Sequence, residues 1–204
     1  MARNIFRGLG IALVTPFTPD GQVDYKSLKR LVEYQIDNGA DFLCILATTG
    51  ETPCLTQDEK EKITQLVKDV NHGRLPILKG CGGNNTAAVV EELRTADWSG
   101  IDGILSVCPY YNKPSQEGLY QHFKAIAEAS PLPVVLYNVP GRTGINLKPE
   151  TTVRLANDCE NIVAVKEASG SLEQVDEIIK NKPQRFDVLS GDDALTFSMV
   201  ASGA

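Results

Sequence analysis

Residues 161–170 read NIVAVKEASG. Four apolar residues run unbroken into Lys166 and Glu167, and a glycine corner follows. A short, β-branched run with no polar alternation is the signature of a strand covered on both faces, as in a parallel sheet. Six other stretches repeat this form: GLGIALVTPF (8–17), DFLCILATTG (41–50), LPILKGCGG (75–83), DGILSVCPYY (102–111), LPVVLYNVPG (132–141) and FDVLSGDD (186–193).

Helical patterns fill the intervals. Residues 27–38 place Leu28, Leu31, Val32 and Ile36 on one face. Thr56 and Glu59 form a capping box at the head of a helix that closes before Gly73. Ser115 is an N-cap, Pro149 suits a first helical turn, and Ser171 with Gln174 forms a second capping box. Strands alternating with helices imply an α/β fold with a parallel sheet, either doubly wound or closed as a (β/α)8 TIM barrel. No dinucleotide-type glycine fingerprint follows the first strand. Polar residues follow nearly every strand instead: Thr15, Thr48 to Glu51, Tyr110 and Tyr111, Tyr137 and Asn138, Lys166 and Glu167, Gly191 and Asp192. Many strand ends feeding one site is the habit of the barrel. Such a barrel needs about 250 residues. Residues 1–204 are therefore expected to form one barrel domain of about seven strands, incomplete before an eighth strand.

A net charge of −6 and the absence of a basic run speak against a nucleic-acid surface. No apolar stretch approaches the ~18 residues of a membrane span. The start MARNIFRGLG lacks the apolar core and cleavage site of a leader, and is read as a mature cytoplasmic N-terminus. The five cysteines, Cys44, Cys54, Cys81, Cys108 and Cys159, make no CxxC pair and read as reduced core thiols. His72 and His122 are too far apart in sequence to suggest a zinc site.

A lysine at the end of so apolar a strand stands out. Strand alternation puts Ile162, Ala164 and Lys166 on one face. If that face lines a barrel, desolvation lowers the amine's pKa, and a neutral amine can attack a ketone to form an imine. The plainer reading is a strand-end lysine reaching to water. Tyr137, in LYNVPGRTG (136–144), shares a face with Val135, and its hydroxyl could serve an imine or be an ordinary core hydroxyl. Arg142 suits the bidentate holding of a carboxylate, or is a solvated charge. Thr48, Thr49 and Gly50, in ATTGET (47–52), offer two hydroxyls and a row of amides that could take the carboxylate of an α-keto acid, or make a plain turn. Adjacent Tyr110 and Tyr111 point to opposite faces if the strand continues through them.

Together the motifs TTGE, PYYN-x-P, YN-x-P-x-RTG, KEASG and SGDD, in that order, resemble the dihydrodipicolinate synthase family across essentially the whole chain. The resemblance implies a (β/α)8 barrel with a C-terminal helical extension. It implies condensation of pyruvate with L-aspartate-4-semialdehyde through a Schiff base on Lys166, with no metal and no organic cofactor. Thr49, Tyr137 and Tyr111 match the family's proton relay. Thr48, Thr49, Gly50 and Gly191 match the pyruvate-binding segments, and Arg142 the residue that holds the semialdehyde carboxylate. It also implies that Tyr111 acts across a tight dimer interface and that two dimers form a homotetramer. An allosteric lysine pocket would involve Tyr110, Asn84 and Gly82. There Ala88 stands in place of a glutamate and Lys60 in place of a histidine, so weak or absent inhibition by lysine is expected. Two rivals remain. A sister aldolase acting on N-acetylneuraminate or 2-keto-3-deoxygluconate usually lacks the RTG motif, so Arg142 speaks against it. A non-catalytic keto-acid-binding barrel would be expected to have lost Lys166, Tyr137 or Thr49, and all three are present.

Overall fold

The computed structural model describes residues 5–204, so the first residues of the N-terminal start discussed above lie outside it. Two compact units emerge. One comprises Ile5–Gly80 with Trp98–Asp102, and the other Cys81–Asp97 with Gly103–Ala204.

In the first unit β1 (Gly10–Ala12), β2 (Phe42–Ile45) and β3 (Ile77–Gly80) pair in sequence order, all parallel. The crossovers are α1 (Tyr25–Asp37) and α2 (Gln57–Asn71). Asp24 caps α1 by accepting from the Ser27 amide at 2.9 Å, so this helix starts two residues before the expected Ser27. The Thr56–Glu59 capping box heads α2, as its sequence requires. Every residue of β2 is buried, which is why it carries no polar alternation. The chain leaves β2 through Leu46, whose φ of 51° is the left-handed conformation that a branched side chain resists. Gly80 makes this possible, since a Cβ there would lie 2.0 Å from the Leu46 carbonyl oxygen. Both residues serve to turn the chain toward the threonines that follow.

In the second unit α3 (Thr86–Thr95) leads to β4 (Gly103–Val107), α4 (Gln116–Ala129), β5 (Val134–Asn138), the single turn α5 (Pro140–Thr143), α6 (Pro149–Asp158), β6 (Ile162–Glu167), α7 (Leu172–Asn181), β7 (Asp187–Ser190) and α8 (Thr196–Ser202). Strands β4 to β7 are again parallel neighbours in sequence order. Ser115 caps α4 and Pro149 opens α6, as expected.

Three expectations need correction. The register of β5 against β6 shifts between Val134 and Val135, so Ile162 pairs with Val134 while Ala164 pairs with Val135. The alternation that would carry Ile162 onto the face of Lys166 therefore holds only from Ala164 onward. Ser171 accepts from the Gln174 amide, but the Gln174 side chain reaches elsewhere, so only half of that capping box exists. Cys54 is exposed; only the other four thiols are buried. No helix among the described residues is long and apolar enough to cross a membrane.

His122 on α4 is only 4% exposed. Its Nδ1 meets the Thr86 hydroxyl at 2.8 Å, and its Nε2 has no protein partner. Burial pushes its pKa down from 6.5 to about 4. Below pH 6.5 the unfolded chain takes up this proton before the folded one does. The neutral imidazole thus contributes stability above pH 6.5 that is lost as the pH falls toward 4, on the order of 3 kcal/mol in full. Denaturant unfolding at pH 7 and pH 4.5 is expected to show this drop, and His122→Gln to shrink it.

Candidate active site

The second unit carries the lysine. Tyr137 and Lys166 are each the penultimate residue of their strand and are direct partners in the β5–β6 ladder. Side chains of such a pair leave the sheet on the same face. Lys166 Nζ lies 4.8 Å from the centre of the Tyr137 ring, which is itself buried. Both stand at the C-terminal ends of parallel strands, where barrel enzymes place their chemistry. The next strand end leaves room for the lysine. A Cβ on Gly191 would come within 2.9 Å of Lys166 Cγ and 3.0 Å of its Cε, so only glycine lets the stem lie there. The Gly191 amide continues the ladder to the Glu167 carbonyl at 2.8 Å.

Arg142 lies on α5, and its side chain faces solvent. The turn is closed by Gly144 at φ 74° and braced from within by Thr143, whose hydroxyl donates to the Val139 and Ile145 carbonyls. A hydrogen-bonded turn thus presents an exposed cation.

Tyr111 is 88% exposed and has φ 73°. A bulky residue held in the left-handed region and fully presented to solvent is strained without any intrachain return. Around it, Asn84 donates to the Tyr110 carbonyl and Asn112 to the Asn84 carbonyl, both at 3.1 Å. Of the residues assigned to an allosteric pocket, Tyr110 and Asn84 are thereby joined. Gly82 packs on Val107, and Ala88 is exposed in the first turn of α3.

The first unit carries the threonines. Thr48, Thr49 and Gly50 form one 3-10 turn beyond β2, bounded by the left-handed Glu51 at φ 53°. Both threonine side chains are exposed, whereas Gly50 is buried. The turn is fastened from below: the Thr15 hydroxyl donates to the Gly50 carbonyl at 2.7 Å and Thr52 to the Ala47 carbonyl at 3.0 Å. Thr15 is thus a support of the turn. Lys60 lies on α2 in this unit.

Sequence reasoning noticed Asn138 and Glu167 only as polar strand ends. The structure buries both. Glu167 also raises the Cys108 thiol, which burial first and that carboxylate second push up to about 12, so Cys108 is no nucleophile at neutral pH.

Residues 5–204 match the model of the dihydrodipicolinate synthetase family. The 4-hydroxy-tetrahydrodipicolinate synthase of Phocaeicola vulgatus is 59% identical over 204 residues, covering all of this chain and 69% of its own. The crystal structure of dihydrodipicolinate synthase from Thermotoga maritima is 44% identical with a TM-score of 0.94, over 98% of this chain and 69% of that one. A chloride-inhibited dihydrodipicolinate synthase from Acinetobacter baumannii, complexed with pyruvate, is 44% identical with a TM-score of 0.93, over 98% and 68% respectively.

Proposed function

Since the chain belongs to the dihydrodipicolinate synthetase family, we propose that it condenses pyruvate with L-aspartate-4-semialdehyde through an imine on Lys166, giving 4-hydroxy-tetrahydrodipicolinate. The observation that carries this reading is the Tyr137–Lys166 pair at adjacent strand ends, with its amine 4.8 Å from the phenol ring. It is a lyase of diaminopimelate and lysine biosynthesis on the (β/α)8 barrel scaffold.

The chemistry follows from a nucleophile and a proton path. The nitrogen lone pair of Lys166 attacks C2 of pyruvate, and the ketone oxygen departs as water. The cationic imine draws electrons from the methyl group, which loses a proton to give an enamine. The enamine carbon bonds to the aldehyde carbon of the semialdehyde. The semialdehyde's amine then attacks C2, closes the ring and expels Lys166. Tyr137, Thr49 and Tyr111 are the hydroxyls that we assign to moving these protons. We assign the pyruvate carboxylate to Thr48, Thr49 and the amides through Gly50, and the semialdehyde carboxylate to Arg142. Gly191 keeps the path of the lysine stem open. The iminium on Lys166 is itself the electron sink, and the reading calls for no metal or organic cofactor. Cytoplasmic action as a homotetramer, a dimer of dimers, is part of the same proposal.

Initial rates with pyruvate and L-aspartate-4-semialdehyde, set beside cleavage of N-acetylneuraminate and of 2-keto-3-deoxygluconate, test the substrate assignment. Turnover of either sugar acid above that of the semialdehyde would replace it.

The strained, exposed Tyr111 supports a role across a subunit boundary. Tyr111→Phe and Lys166→Ala enzymes are each expected to be nearly inactive. Refolded together, they are expected to regain activity, because one site of a mixed dimer then holds both intact side chains. Mixed oligomers that form and remain inactive would place Tyr111 in its own subunit's site or outside catalysis.

A further inference from the structure

On the opposite face of the same two strand ends lies a buried polar cluster for which the condensation chemistry has no use. Asn138 and Glu167 directly follow Tyr137 and Lys166 and are themselves ladder partners. Glu167 is 1% exposed and makes no ion pair among the described residues. Its carboxylate is instead filled by neutral donors. Asn138 Nδ2 donates to both oxygens at 3.1 Å, Gln174 Nε2 to Oε2 at 3.0 Å, and the Ser169 amide to Oε1 at 2.7 Å. Those four bonds use the acceptor sites an ionised carboxylate has.

The donors are tied down in turn. Asn138 accepts from the Leu147 amide at 3.0 Å and donates to Asn146 Oδ1 at 2.8 Å. Asn146 donates to Gln174 Oε1 at 2.8 Å. The network therefore joins the end of β5, the segment after the Arg142 turn, the end of β6 and the first turn of α7. A buried carboxylate without a counter-ion is costly, and packing alone is served as well or better by an apolar residue. The diversion of Gln174 from its capping bond points the same way.

We propose that Glu167 is a positioning residue for the reaction: by gathering Asn138, Gln174 and the Ser169 amide it fixes the aim of Lys166 and Tyr137. The inference rests on the Schiff-base reading above. A displacement of about 1 Å at a reacting group can cost about 10²-fold in rate. Glutamine at position 167 matches the shape but turns an amide donor toward amide donors.

The test is the rate at which pyruvate and borohydride modify Lys166 in the intact enzyme, expressed per folded molecule, together with kcat and KM. Glu167→Gln is expected to slow modification and lower kcat by about 10²-fold, with a small change in the KM for pyruvate. The double variant Asn138→Asp with Glu167→Gln restores one acceptor opposite one donor and is expected to recover roughly tenfold of that loss. Gln174→Met, which removes one donor to Glu167 and the acceptor that Asn146 meets, covers the case in which Glu167→Gln does not fold and is expected to slow modification by roughly tenfold. Wild-type modification rates per folded molecule in the folded variants, whatever their melting temperatures, would make the cluster purely structural and overturn the inference. Failure of the wild-type enzyme itself to be modified would instead overturn the Schiff-base reading.

Discussion

Lys166→Ala is expected to leave the enzyme folded and without measurable turnover. The side chain lies along Gly191 and beside Tyr137, so truncation opens a small space rather than breaking a network. The hydrogen-bonded neighbour Glu167 faces the other side of the sheet and keeps its partners. What is lost is the atom that bonds to pyruvate. No other amine occupies a penultimate strand-end position paired with Tyr137. The loss should exceed about 10³-fold, the scale on which removal of a covalent nucleophile acts in other enzymes. The measurement is kcat/KM with both substrates, alongside circular dichroism to establish that the variant has folded. Turnover within tenfold of wild type would mean that Lys166 forms no obligatory bond.

Arg142→Ala is expected to separate the two half-reactions. The guanidinium is exposed and makes no ion pair among the described residues, and α5 is held by Val139, Pro140 and Thr143 rather than by the arginine side chain. Its removal should leave stability nearly unchanged. Imine formation with pyruvate should also change little. Use of the semialdehyde should suffer, because a desolvated arginine–carboxylate contact is worth a few kcal/mol, or about 10²-fold in kcat/KM for that substrate. Steady-state rates against semialdehyde concentration, set beside the rate of pyruvate-dependent Lys166 modification, resolve the two. Unchanged semialdehyde kinetics would move its carboxylate to another residue and weaken the case for this substrate over a sugar acid.

How far the chain could be read in advance varied with the physics of each part. The strands were legible because burial on both faces leaves an unbroken apolar run, as in Phe42–Ile45 and Ile162–Val165. The heads of α2 and α4 were legible because Thr56 and Ser115 act within one turn of themselves. Lys166 was conspicuous as a charge ending an apolar strand, whereas its partnership with Tyr137 is set by the register of β5 against β6. The rest depended on tertiary contacts that no local pattern encodes. The irregularity at Val134 and Val135 reverses the face of Ile162. The left-handed Leu46 and Tyr111 contradict their own side-chain preferences, and no local pattern announces them. Gln174 sits where a capping residue belongs and yet turns to Glu167, and its other partner, Asn146, lies 28 positions earlier in the chain. Residues at buried polar crossings carry the same letters as residues at solvated corners, and so Glu167 and Asn138 read as rim groups.

The central claim is that pyruvate becomes covalently attached to one particular amine. Intact-protein mass spectrometry after borohydride treatment, with and without pyruvate, followed by peptide mapping, addresses it without any assumption about the second substrate. The expected result is a single irreversible adduct per chain, carrying the reduced pyruvate skeleton on the peptide that contains Lys166, and none in Lys166→Ala. An adduct on another lysine, or an unmodified chain at saturating pyruvate, would contradict it.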